Sequence, residues 1–205
     1  MTIHIYTDGG IRPDKALAAG TGHGGTGFVA VDAEDGGFLF EGATHYPGPT
    51  TNQRMELLAA IEGLQTAKSY VDKDRTRQVV IHSDSAYMVN CIKAEWWFNW
   101  MVKQGGQWLN SSKKPVENAD LWRRLLGLCQ LSYYRLSPLY GSREPWKRLQ
   151  NLEDRKVIQE SIETGLNVSF VKVKGHSGIP LNERADQLAT KGKNGQTVQY
   201  PDAGG

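Results

Sequence analysis

Apolar and polar residues alternate from Ile3 to Thr7, and the alternation stops at Asp8-Gly9-Gly10, which predicts a half-buried strand closed by a turn. Residues 12–25 are rich in Gly and Ala and predict a loop. The runs 26–31 (TGFVAV) and 37–44 (GFLFEGAT) flank Asp32-Ala33-Glu34-Asp35-Gly36, the pattern of a hairpin. Across 54–69 the apolar positions Leu57, Leu58, Ile61 and Leu64 take the spacing of an amphipathic helix, with Thr51 or Asn52 as its N-cap. The short apolar run 78–83 (QVVIHS) predicts a central strand ending at Asp84. Short helices are predicted over 86–92, 95–103 and 118–131, then a last strand over 168–173 and a last helix over 182–191. A hairpin meander followed by strand–helix alternation predicts an α/β fold. Its mixed five-stranded sheet has three antiparallel strands, then two parallel ones, and is flanked by helices.

Charge narrows this picture little. Twenty-four Lys and Arg against 22 Asp and Glu give a net charge of +2 over 205 residues, which excludes a polycationic tail or a polyanion. An enzyme of nucleic acids stays open, because clustering of basic groups matters more than their total. Two cysteines, Cys91 and Cys129, cannot build a disulfide framework and read as reduced, buried thiols. The opening Met1–Asp8 has neither a basic stretch nor an apolar one, so no signal peptide is expected. The most apolar segment, 94–102, is broken by Glu95 and Asn99 and is too short for a membrane span. A cytoplasmic protein without membrane contact is expected.

Carboxylates at element ends carry the chemistry. Asp8 closes the first strand, Glu56 lies in the first turn of the first helix, Asp84 follows the 78–83 strand, and Asp186 sits in the last helix. Ligand sites of open α/β sheets gather at strand ends, so these four are placed to converge. Four neighbouring carboxylates repel unless neutralised, and a hard divalent cation such as Mg²⁺ is the economical answer. Each residue alone has a plainer reading: Asp at a strand end serves turns, Glu in a first helical turn suits the helix dipole, and His176 is an ordinary loop histidine.

Their contexts decide otherwise. Tyr6-Thr7-Asp8-Gly9-Gly10, Thr51-Asn52-Gln53-Arg54-Met55-Glu56-Leu57, His82-Ser83-Asp84-Ser85, Lys174-Gly175-His176-Ser177-Gly178 and Asn182-Glu183-Arg184-Ala185-Asp186 occur in that order. Together they resemble the signature of type 1 ribonuclease H, in particular the bacterial form with a basic protrusion. The resemblance implies the ribonuclease H-like fold and hydrolysis of the RNA strand of RNA–DNA hybrids, leaving 5′-phosphate and 3′-hydroxyl ends. It implies Mg²⁺, two ions with substrate bound, with Mn²⁺ as a substitute. Asp8, Glu56, Asp84 and Asp186 would hold metal, and His176 would assist proton transfer or product departure. Thr51, Asn52, Gln53, Asn90 and Asn118 match positions that contact the hybrid, and Trp96, Trp100, Lys103, Lys113 and Lys114 match the protrusion. The partner would be the hybrid itself, bound by a monomer with no obligate protein partner. A DNA-processing nuclease of the same fold and a non-catalytic hybrid-binding module are the competing readings.

The chain departs from the family pattern at several points, among them Ala86, where an amide is common. The segment after Asp8 is longer, and Met101 and Val102 stand where bacterial members often carry lysines. A single catalytic domain over 1–192 is expected, with an insertion at about 128–165 and a loose tail over 193–205. The insertion mixes aromatic and basic residues, among them Tyr133, Tyr134, Arg135, Tyr140, Arg143 and Trp146, and 142–164 within it reads as a helix.

Overall fold

Strand β1 (Thr2–Pro13) runs straight through Asp8-Gly9-Gly10 instead of turning there, in the computed structural model, which describes residues 2–15, 17–71, 77–131 and 149–200. It pairs antiparallel with β2 (Gly22–Asp32) without a break from Ile3 opposite Asp32 to Pro13 opposite Gly22. The predicted loop of 12–25 therefore gives up 12–13 to β1 and 22–25 to β2, and Gly22, Gly24 and Gly25 become strand. The reason is helix packing. A side chain at Gly9 would strike the Met55 backbone, and one at Gly25 or Gly27 would strike the backbone of the last helix. These glycines admit close approach of helix to sheet and do not mark turns.

The elements that follow are β3 (Phe38–Thr50), α1 (Asn52–Val71), β4 (Gln78–Ser83) and α2 (Ala86–Lys93). After them come the short α3 (Trp96–Phe98), a π-helical turn (Asn99–Lys103), α4 (Ala119–Leu128), α5 (Leu152–Thr164), β5 (Asn167–Lys172), α6 (Pro180–Lys193) and β6 (Val198–Tyr200). Strand order is β5-β4-β1-β2-β3-β6, with β1 parallel to β4 and antiparallel to β2. The mixed α/β sheet thus has six strands where five were expected. The extra strand arises in the predicted loose tail, where Val198, Gln199 and Tyr200 pair with Ala43, Gly42 and Glu41 of β3. No helix of the described residues is long and apolar enough to cross a membrane.

The chain divides into two compact units, Met1–Val89 with Val168–Gly205, and Asn90–Asn167. In the first, alternation sorts β1 onto two faces. Ile3, Ile5, Thr7 and Gly9 are buried, and Ile5 lies against Gly63 of α1. Tyr6 faces the other way and packs against the buried cluster of Val29, Ala43, Ala185 and Leu188, the last two on α6. Asp8 shares the face of Tyr6, so strand register alone turns it toward α6.

The second unit is built on tryptophan. Trp97, Trp100, Trp108 and Trp122 are buried with Leu121, Leu125 and Leu126 of α4 and Ile158 of α5. At its centre lies Asp154, 0% exposed, which accepts from Trp108 Nε1 at 3.1 Å and from Arg123 Nε at 2.7 Å. The Arg123 guanidinium in turn covers the Trp108 ring at 4.5 Å from its centroid. Helix α5 begins at Leu152, capped by Asn151, whose Oδ1 accepts from Glu153 and Asp154 N–H. The helix predicted over 142–164 is accordingly shorter at its start, since residues 149–151 are not helical. The start of that predicted helix, 142–148, and the aromatic and basic residues of the insertion, Tyr133, Tyr134, Arg135, Tyr140, Arg143 and Trp146, lie outside the described residues. Cys91 and Cys129 are buried and free of disulfides, and burial pushes the Cys129 thiol up to about 12.

Candidate active site

Register brings the first two carboxylates together. Tyr6 pairs with His82 across the parallel β1–β4 ladder, so Asp8 and Asp84, two residues further on, stand side by side where that ladder ends. Helix α6 supplies Asp186, one turn after Asn182. Asp8, Asp84 and Asp186 line a cavity of about 40 Å³, with His176, Asn182 and Glu183 completing its wall. That space suits an ion or a water rather than an organic ligand. Glu56 is not on this wall. Its Oε2 accepts from the Ser85 hydroxyl, and Ser85 also caps α2 by accepting from Met88 N–H at 3.3 Å.

The electrostatics record crowding of like charge. Burial first, then Asp84 and Asp186, raise the Asp8 carboxyl from its ordinary 3.8 to about 7, against the opposing pull of Lys193 and the Gly9 N–H. Glu56 is also raised, by burial and by Asp84, with the Ser85 hydrogen bond acting the other way. Asp84 is thus the shared neighbour of both.

The 175–178 segment is shaped to reach this cavity. A side chain at Gly175 would collide with the Asp84 carboxylate, so glycine lets the loop close over it. Gly178 has φ +78°, and His176 itself adopts φ 49°, a left-handed backbone that costs a non-glycine residue energy. The Ser177 hydroxyl donates to Lys174 O at 2.6 Å and fixes the turn.

The positions expected to contact substrate fall in both units. Thr51, Asn52 and Gln53 are exposed at the start of α1. Of the two candidate caps, Thr51 is the one that acts, with Oγ1 accepting from Arg54 N–H at 3.3 Å. Asn52 is helical, and its Oδ1 accepts from Ile11 N–H at 2.9 Å, tying the far half of β1 to α1. Asn90, Trp96, Lys103, Lys113 and Lys114 are exposed in the second unit, and Asn118 is half-buried with φ 59°. Trp100 is buried, with its ring centroid 5.3 Å from that of Trp108 and 5.9 Å from that of Trp122. It is a packing residue of that unit. Sequence reasoning missed Ser85, Glu183 and Lys193. Only Ser85 left a signal, a serine immediately before a predicted helix.

Acidic side chains side by side where the parallel ladder of two neighbouring strands ends, with another on a helix packed against the sheet, define the ribonuclease H-like class of α/β folds. The RNase H family model matches residues 1–137. Ribonuclease H of Prosthecochloris aestuarii is 35% identical over 187 residues, 91% of this chain and 92% of that protein. Ribonuclease H of Saccharopolyspora erythraea is 35% identical over 192 residues, 94% of this chain and 90% of that one. Among solved structures, LC9-RNase H1, a type 1 RNase H with the type 2 active-site motif, superposes with a TM-score of 0.62 at 25% identity, covering 97% of this chain and 74% of that one. LC11-RNase H1 in complex with RNA/DNA hybrid shares the fold at a TM-score of 0.53 and 22% identity, over 94% and 97% of the two chains. The chain belongs to the ribonuclease H family, a family of nucleases.

Among the described residues, no three His, Cys, Asp or Glu side chains are gathered tightly enough to form a metal site unaided. The donor set nonetheless fits Mg²⁺, which keeps several waters and completes its shell with substrate phosphate. The raised Asp8 gives a direct test. In the metal-free protein its ionisation is disfavoured, so the stability it lends below pH 4 is lost as pH climbs through about 7. A cation binding the ionised cluster must displace that proton. Calorimetric titration with Mg²⁺ at pH 6, in two buffers of different ionisation heat, should show close to one proton released per binding event and almost none at pH 9. Identical heats in both buffers at pH 6 would remove Asp8 from the metal site.

Proposed function

We propose that the protein is an endonuclease that hydrolyses the RNA strand of RNA–DNA hybrids with two Mg²⁺ ions, leaving 5′-phosphate and 3′-hydroxyl ends. The observation that carries this reading is the convergence of Asp8, Asp84 and Asp186, from three separate elements, on one ion-sized cavity. When bound there, divalent ions supply an activated water and neutralise charge developing on the leaving oxygen.

The chain's own groups do the rest. Asp8, Asp84 and Asp186 provide the ligating oxygens, with Glu56 beside Asp84 as the fourth. The Ser85 hydroxyl holds the Glu56 carboxylate in one orientation, which suits Glu56 to accept from a ribose 2′-hydroxyl or from the attacking water. The 2′-hydroxyl is what separates RNA from DNA at one site. Water oxygen bonds to phosphorus while the bond from phosphorus to the 3′-oxygen breaks, and that oxygen leaves as a hydroxyl. His176, exposed on its left-handed turn at the cavity wall, is placed to carry a proton between the site and solvent.

The test is digestion of a hybrid labelled on either strand, beside duplex DNA and duplex RNA, with Mg²⁺, Mn²⁺ or EDTA. Cleavage confined to the RNA strand of the hybrid, lost in EDTA, is expected. Cutting of duplex DNA at a comparable rate would move the protein to the DNA-processing nucleases of the same fold.

A further inference from the structure

A second cavity in the first unit, of about 640 Å³, has no part in the chemistry above. It opens where the chain departs from the family pattern, at the end of β1. Arg12, Lys15 and Lys193 line it, with His23 and His45, against the single carboxylate of Asp14. The histidines are oriented by backbone. His45 Nδ1 donates to Gly192 O at 2.8 Å, and His23 Nδ1 accepts from Gly48 N–H at 3.1 Å. His23 therefore carries its hydrogen on Nε2, which makes that atom a donor, 3.8 Å from Asp14.

The cavity is aligned with the catalytic centre. Asp8, Gly10 and Arg12 alternate onto one face of β1, so Arg12 lies four residues, about 13 Å, beyond Asp8 along the strand. Lys193 spans the interval, since a side chain at Gly10 would meet its Nζ at 3.3 Å. Acid at one end and cations along the same face match a polyanion whose cleaved phosphate sits at the carboxylates and whose later phosphates run outward.

We propose that this cavity is a phosphate subsite for the backbone of the bound hybrid, a few nucleotides from the point of cleavage. The assignment rests on the hybrid-hydrolase reading. Its volume accommodates more than one nucleotide of backbone. Each Arg or Lys that meets a phosphate releases a counterion and steepens the salt dependence of binding.

The test is Arg12→Ala/Lys15→Ala, two exposed residues, compared with the parent for thermal stability, hybrid binding in EDTA and cleavage in Mg²⁺. The double variant should melt with the parent, bind a long hybrid roughly 10- to 50-fold more weakly at ~0.1 M salt, and show a salt slope shallower by about 2. Its turnover number at saturation should be that of the parent. Arg12→Lys, which keeps the charge, should retain the parental slope. Removing the last nucleotides from one end of the hybrid should weaken binding by the parent and leave the double variant indifferent. Parental affinity and slope in the double variant, with cleavage intact, would overturn the subsite alone. A parent that cuts no hybrid would overturn the underlying reading, and the subsite with it. Saturable binding of inorganic phosphate, abolished in a double variant whose hybrid affinity is unchanged, would make this a free-anion site and overturn the backbone assignment.

Discussion

Asp84→Asn should abolish hybrid cleavage while leaving the protein folded and, without metal, at least as stable as the parent. Asp84 is the neighbour whose charge raises both Asp8 and Glu56, so its neutralisation removes repulsion from the centre of the cluster. The melting temperature in EDTA should hold or rise, at ~2–4 °C for each kcal/mol of repulsion relieved. Activity moves the opposite way. Loss of a ligating oxygen should lower cleavage by at least ~1000-fold, about 4 kcal/mol of transition-state stabilisation. This divergence separates a functional carboxylate from a structural one. An Asp84→Asn protein that cleaved as the parent does would end the metal-site assignment, and one that melted far below the parent would make Asp84 a structural residue.

The largest loss of stability should come from Asp154→Ala, in a part of the chain with no carboxylate of the active site. Asp154 is wholly buried and answers both Trp108 Nε1 and the Arg123 guanidinium. Removing it leaves a cation and an indole N–H without their acceptor, a change that costs ~3–5 kcal/mol at buried pairs and lowers the melting temperature by on the order of 10 °C. Glu153, 3.4 Å from Arg123 but largely exposed, cannot replace it. Trp108→Phe, which removes one donor and keeps most of the ring, should cost only about 1 kcal/mol. Equal melting temperatures for Asp154→Ala and the parent would show that Asp154 contributes nothing net. The pair is read by thermal denaturation monitored at the tryptophans.

These two residues differ in how visible they were. Asp84 announces itself locally, because an apolar run ends in His82-Ser83-Asp84-Ser85 and the site is assembled at strand ends. Asp154 gives no such sign. Its partners Trp108 and Arg123 lie 46 and 31 residues away in sequence, and no periodicity encodes a pairing of that range. The strands of the first unit were misjudged for a related reason. Gly9, Gly10, Gly24 and Gly25 have no side chains with which to display alternation, so buried strand looks like loop. β6 escaped because a three-residue strand is held by β3 rather than by any propensity of its own. Trp100 is a different case: an aromatic that the resemblance matches to the substrate-handling protrusion is packed inside.

The bare glycines of β2 make the thickness of the sheet-to-helix layer a quantity that catalysis depends on. Gly25 and Gly27 rest directly against the α6 backbone at Ala189, Gly192 and Ala185, one residue from Asp186. They act as a ruler with no markings to spare. A Cβ added at Gly25 would strike Lys193 N and one at Gly27 would strike Ala185 O, so the packing of the helix that carries Asp186 would have to shift. The separation of Asp8 and Asp186 is thus set in part by glycines that touch neither carboxylate.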